Sequence, residues 1–288
     1  MWSSVLPAYT TRCELVGTDP ADRALVDRFR ALLDEWGAVA SFHDPHSELS
    51  QLNADPTPEV RVSARLAHLL QVTDEAVRAS GGVIDPVRAA DPSALEPDHP
   101  VARLGRRSSA TWDDVERDDD MVRRPPGTLI DLGGLAKAAI ADAIALELAA
   151  DAAGAILVNL GGDLRCVGEA PWSILVTDDG SLRPDAPGQR IHIPAGAVAT
   201  SDRATRRSPR GLDHIVGAST LPGAARRATV VAESAAAANA ASLAIIAAGR
   251  AWHRMWRRYE LSALVVTNAG ERLPLGGWPP RLEEAAAC

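Results

Sequence analysis

The stretch "TLIDLGGLAKAAIADAIALEL", residues 128–148, decides how this chain is read. Its apolar start predicts a strand over 128–132 that ends in an acid. Two glycines, Gly133 and Gly134, then turn the chain into a helix over about 135–150. Lys137 stands in the first turn of that helix, and it is the sole lysine among the 30 Lys and Arg residues. An ammonium is a compact charge on a flexible stem, whereas a guanidinium is a wide planar fork. Glycines at a strand-to-helix turn expose backbone N–H groups, and a helix start favours anions. The arrangement reads either as a diphosphate cradle or as a leftover surface cation at a turn. Neither GxxxxGK[ST] nor GxGxxG occurs in the chain.

Outward from this stretch the pattern is mixed. Residues 20–40 place Leu25, Phe29, Leu32, Leu33 and Trp36 on one helical stripe. Residues 62–80 predict a second amphipathic helix, with Ser63 as N-cap and Gly81–Gly82 as its stop. Residues 91–127, rich in Pro, Asp and Arg, read as a surface excursion with only "ATWDDVER" strand-like. "GAILVNLGGDLRCVG" predicts two strands about Gly161–Gly162, and "WSILVTD", "QRIHIPAGAVATS", "GLDHIVGAST" and "SALVVTNAG" predict further strands. "AESAAAANAASLAIIAAG" predicts an alanine-rich helix with Ser234 as its cap. Strands and helices without strict alternation indicate an α+β class, with antiparallel sheets covered by helices.

Composition narrows the function. With 288 residues, 46% hydrophobic, the chain has ample length for a core. A formal net charge of −8 argues against nucleic acid as a partner, because backbone phosphates need a cationic face. The arginine pairs 106–107, 206–207 and 257–258 read as solvated surface. Three scattered cysteines without metal spacing fit a reducing compartment. No transmembrane segment or leader is visible, so a cytoplasmic location is expected.

Several short motifs carry polar groups. "SFHDPHSELSQLNAD" holds Ser47, Glu48 and Asn53, which suit a ribose or a helix cap equally. Asp163 follows the Gly161–Gly162 pair, a turn that serves a tight hairpin or a ligand. "AVATSDR" ends in Thr200 and Ser201, and "DHIVGAST" carries His214, structural or catalytic.

In their order, "SELSQLN" (47–53), "GGVIDP" (81–86), "IDLGGLAK" (130–137) with Asp142, "VNLGGDLRCVG" (158–168), "VATS" (198–201), "DHI" (213–215) and "VVAESAAAANAASLAIIAAG" (230–249) resemble the FAD:protein FMN transferases, the ApbE family. The resemblance implies one unit over 1–288 with an ApbE-like, T-fold-related α+β architecture. It implies FAD as substrate, Mg²⁺ as cofactor, and transfer of FMN to a threonine of an acceptor protein with loss of AMP. It places Glu48, Asn53, Asp85, Asp131, Gly133, Gly134, Lys137, Gly161, Gly162, Thr200 and Ser201 at the cofactor, His214 and Asp163 in catalysis, and Ala136 (backbone carbonyl), Asn239 and Ser242 near the metal. The family's last helix carries an Asp and a Thr four residues apart as metal ligands, and here those positions are Asn239 and Leu243. The family's paired histidines are reduced to His214, and its "TSG" is "TSD" (200–202). The expected activity is therefore transfer with a weakened metal site; a non-catalytic FAD- or FMN-binding protein on the same fold is the alternative.

Overall fold

A computed structural model describes residues 1–104, 108–181, 183–204 and 215–278. The strands are β1 (Trp2–Ala8), β2 (Thr11–Gly17), β3 (Glu59–Arg61), β4 (Glu116–Asp118), β5 (Met121–Arg123), β6 (Ile156–Leu160), β7 (Asp163–Val167), β8 (Trp172–Thr177), β9 (Gly188–Ile193), β10 (Gly196–Asp202), β11 (Ala225–Ala232), β12 (Ser262–Thr267) and β13 (Arg272–Leu275). The helices are α1 (Arg23–Ala40), α2 (Glu48–Ala54), α3 (Ala64–Ser80), α4 (Pro86–Ala89), α5 (Pro100–Leu104), α6 (Ala136–Ala149), α7 (Ala235–Ala247) and α8 (Trp252–Tyr259). Eight strands form one antiparallel sheet in the order β1-β2-β6-β7-β10-β11-β12-β13. Three short strands, β3-β5-β4, form a second sheet, and β8-β9 is a separate hairpin. The α+β expectation holds. No helix among the described residues is long and apolar enough to cross a membrane.

The layering follows from the sequence of α6 and α7. Both are alanine- and isoleucine-rich on every side, as a helix buried on two faces must be. They lie on the large sheet, and α1 and α3 pack over them from outside. The stripe on α1 (Leu25, Phe29, Leu32, Leu33, Trp36) is buried there as its spacing predicts. Ser63 caps α3 by accepting from Leu66 N, and Gly81 ends it in the left-handed region at φ 66°. On the opposite sheet face, the β8-β9 hairpin buries Trp172, Ile174 and Ile191 against Leu157 and Cys166.

Three local expectations are corrected. Residues 128–132 are not a strand. They carry no regular structure, and the buried amide of Asn53 meets their backbone: its Nδ2 donates to the Ile130 carbonyl and its Oδ1 accepts the Ile130 N–H, both at 2.8 Å. The stretch 110–117 forms a 3₁₀ turn (Trp112–Asp114) before β4, and Trp112 and Val115 are buried. The excursion thus has an apolar anchor. Residues 215–220, expected to continue a strand, form a bend and turn at 215–217 and no regular structure at 218–220, while 211–214 lie outside the described residues.

The contact that sets α7 against α6 is ionic. Asp142, midway along α6, accepts the backbone N–H groups of Ala235 (2.8 Å) and Ala236 (2.9 Å) at the start of α7. A helix start leaves such donors without partners, and a carboxylate is favoured there. Arg165 on β7 lies 3.6 Å from the same carboxylate. Burial pushes the Asp142 carboxyl above the ordinary range, and the two N–H bonds oppose that shift. Replacing Asp142 by Ala strands two part-buried N–H groups and the Arg165 charge. Urea unfolding should show Asp142→Ala destabilised by about 2–3 kcal/mol, the scale of hydrogen bonds to a charged group. A loss below about 0.5 kcal/mol, the size of an ordinary surface change, would contradict this role.

Candidate functional site

Helices α6 and α7 are nearly all apolar, so their few polar residues stand out. Lys137 in the first turn of α6 and Asn239 on α7 converge on Asp163, the first residue of β7. Lys137 Nζ lies 3.4 Å from Asp163 Oδ2, and Asn239 Nδ2 donates to Asp163 Oδ1 at 3.3 Å. Asp163 is aimed at the helices by the β6-β7 hairpin, whose two central residues are Gly161 (φ 70°) and Gly162 (φ 101°). Both are left-handed, which a two-residue hairpin of this kind needs and which glycine supplies without strain. The side chain of Asn159 closes the turn by accepting from Gly162 N at 2.8 Å.

The turn at Gly133–Gly134 is exposed and lies immediately before α6. Neither glycine is left-handed, so conformational freedom is not the reason for them. Close approach is. A Cβ on Gly133 would lie 3.0 Å from Asp131 Oδ1, and one on Gly134 would lie 3.2 Å from Leu243 Cδ2. Asp131 accepts from Gly133 N at 2.7 Å and gives its own N–H to the Pro86 carbonyl. Burial pushes the Asp131 carboxyl up, an effect the Gly133 N–H opposes.

The remaining expected residues divide. Asn53 is beneath the turn, holding Ile130. Asp85 caps α4, accepting from Val87 N and Arg88 N, and so sets the Pro86 carbonyl that meets Asp131. Glu48 accepts from Ser63 N and Ser63 Oγ, both at 2.6 Å, which places it at the start of α3. Thr200 and Ser201 point to opposite sheet faces. Ser201 meets Ser242 of α7 at 2.8 Å, whereas Thr200 pairs with Thr229 at 2.9 Å. His214 lies outside the described residues. The Asp of "TSD" forms a buried ion pair with Arg227, which also donates to the carbonyls of Thr177 and Asp178. That acid therefore ties the β8-β9 hairpin to the sheet. The sequence names Asp142 with a motif and Asp202 as a departure without giving either a role; an acid inside a run of alanines was the available signal for the first.

The donor set suits a divalent cation only in part. Among the described residues, no three His, Cys, Asp or Glu side chains converge to hold one. Ser242 Oγ is engaged by Ser201 and donates to the Asn239 carbonyl. Leu243, not a hydroxyl, faces the glycine turn. Yet Asn239 Oδ1 is buried with no hydrogen-bond partner among the described residues, beside the Asp163 carboxylate. An orphaned oxygen next to an anion fits a cation, and one neutral oxygen fits it loosely.

Comparison with known proteins identifies the family and the fold. The family model described as "ApbE family" matches residues 9–265. The fold is similar to the ApbE protein from Thermotoga maritima (22% identity, 95% of this chain and 96% of that one, TM-score 0.75). It is also similar to the flavin transferase ApbE from Vibrio cholerae (18%, 98% and 99%, 0.73) and to the flavinyl transferase ApbE from Pseudomonas stutzeri (16%, 95% and 94%, 0.73). No curated protein matches the chain in sequence. With the model spanning most of its length, the chain belongs to the ApbE family.

Proposed function

We propose that this protein binds FAD and transfers its FMN portion to a threonine hydroxyl of an acceptor protein, releasing AMP. The observation that supports this most is the sole lysine of the chain, held beside Asp163 at the start of α6 and next to an exposed glycine turn. Asp131 holds the Gly133 N–H and the Leu132 carbonyl those of Leu135 and Ala136, so the cradle rests on the movable charge of Lys137 with the Gly134 N–H beside it. In the transfer, the threonine oxygen bonds to the FMN phosphorus, the bond from that phosphorus to the bridging oxygen breaks, and AMP carries that oxygen away. The hydroxyl proton needs an acceptor. On this reading Lys137 exchanges Asp163 for the diphosphate, and the released carboxylate, or His214, takes the proton. Positioning and charge stabilisation are what phosphoryl-type transfers require of a protein.

Asn239 Oδ1 and the Ala136 carbonyl would hold Mg²⁺, with Ser242 contributing only by giving up its bond to Ser201. When bound, the ion would offset charge developing on the phosphate oxygens. Asn at 239 has a clear consequence. A carboxylate there would face the Asp163 carboxylate within hydrogen-bond range and would need a cation between them, whereas the amide simply donates. The protein is thus stable without metal and binds it weakly. Leu243 at the turn favours a second reading, a flavin-binding relative that does not transfer. Mass spectrometry of a threonine-bearing acceptor after incubation with FAD, Mg²⁺ and the protein separates the two: an added FMN mass supports transfer, and bound FAD without it supports the second.

Two substitutions probe the site. Lys137→Ala should weaken FAD binding by about 1.5–3 kcal/mol, the range for charge-assisted bonds, and Lys137→Arg should recover only part of it. Titration of flavin fluorescence reads both, and equal affinity for wild type and Lys137→Ala would remove the cradle assignment. The pair Asn239→Asp with Leu243→Thr should raise both Mg²⁺ affinity and FMN transfer, most of the gain coming from Asn239→Asp. Transfer measured against Mg²⁺ concentration checks this. Efficient wild-type transfer at low Mg²⁺, unchanged in the double variant, would contradict a weakened metal site.

A further inference from the structure

Helix α8 and the 3₁₀ turn before it divide into two faces. Trp252, Met255, Trp256 and Tyr259 turn inward: Trp252 is buried and the other three pack against the core. Arg250, His253, Arg254 and Arg257 follow the complementary helical spacing, and all four are exposed. Arg258 leaves this face and reaches the carbonyls of Ala79 and Arg78 at the end of α3, beside Gly81. The three outward arginines differ from most basic groups on the outer helices. Arg28 pairs with Glu35 and Glu147, Arg65 with Glu35, and Arg78 with Asp74. Among the described residues, Arg250, Arg254 and Arg257 form no ion pair. They stand together on a chain whose formal net charge is −8.

We propose that this face of α8 docks an acidic segment of a polypeptide. Charge complementarity argues for it: on an acidic protein, a compact unpaired cationic face is where an anionic partner is attracted while most other surface repels it, which fixes orientation as well as adding affinity. The apolar residues of α8 argue against a lipid surface, because a helix lying in a membrane interface buries an apolar face in the lipid. Here Trp252, Met255, Trp256 and Tyr259 are used inside the protein. Arg258, which leaves the face, links α8 to the site through the end of α3. From Gly81, against which Arg258 rests, the short stretch 81–86 runs to the Pro86 carbonyl that holds Asp131 at the glycine turn. The choice of a polypeptide rests on the proposed action on an acceptor protein; the acidity of the partner rests on α8 alone.

The test uses the whole protein and two fluorescent peptides, each with a central threonine. One has Asp and Glu flanking it, the other Asn and Gln. Fluorescence anisotropy compares wild type with Arg250→Gln/Arg254→Gln/Arg257→Gln and with the single variant Arg254→Glu, whose thermal midpoints establish folding. Wild type should bind the acidic peptide about tenfold more tightly than the neutral one, and salt should erase the preference. The triple variant should lose the preference and Arg254→Glu should reduce it, while FAD titration stays unchanged in both. Equal binding of the two peptides by wild type, or an undiminished preference in both variants, would overturn the proposal. So would arginine-dependent binding to vesicles containing anionic phospholipid without binding to the acidic peptide. If wild type fails to bind FAD yet keeps the peptide preference, the flavin reading falls and the docking face stands.

Discussion

The grip of Asp142 on the first N–H groups of α7 is the contact on which the site geometry depends. Two alanine-rich helices stacked on a sheet have little to fix their relative slide, because small apolar surfaces pack in many registers. A partly buried carboxylate bound to two specific N–H groups removes that freedom. It sets Asn239, one turn into α7, against Lys137, near the start of α6, with Asp163 presented from the strand below. The Gly161–Gly162 turn supplies the third coordinate by fixing where β7 begins. The glycine turn before α6 then lies open to solvent above this triad.

The charges at the triad explain why the departures from the family pattern hang together. Asp163 has one oxygen near an ammonium and the other accepting from an amide. Two carboxylates at that distance would demand a bound cation, and the pair Asn239–Asp163 does not. Leu243 completes the change by placing carbon where a hydroxyl would face the turn. The "TSD" departure belongs elsewhere: Asp202 neutralises Arg227 under the β8-β9 hairpin, so it reflects packing of the far sheet face. Substitutions that look like one cluster in the sequence therefore separate into two in space.

Much of this was legible beforehand because its signals are local. Helix stripes, the Ser63 and Ser234 caps, the Gly81 stop and the paired glycines of the β6-β7 turn depend on a few consecutive residues. What failed to show was non-local. Residues 128–132 have a strand's composition, yet their hydrogen bonds go to the side chain of Asn53, which no periodicity reveals. Thr200 and Ser201 read as one polar pair, although strand alternation sends them to opposite faces. The role of Glu48 at the start of α3 was open in the sequence, since a carboxylate at a loop end serves a ligand or a helix equally, whereas the cap made by Asp85 was not among the readings.

The central claim is that Lys137 and the adjacent turn recognise a diphosphate. A cycle pairing residue and ligand tests it most directly: calorimetric affinities of wild type and a Lys137→Met variant, each for FAD and for riboflavin, which has the same ring system and no phosphate. The account predicts that the substitution weakens FAD by about tenfold or more, as loss of a charge-assisted bond should, and leaves riboflavin unchanged. An equal loss for both ligands, or none for either, would contradict it.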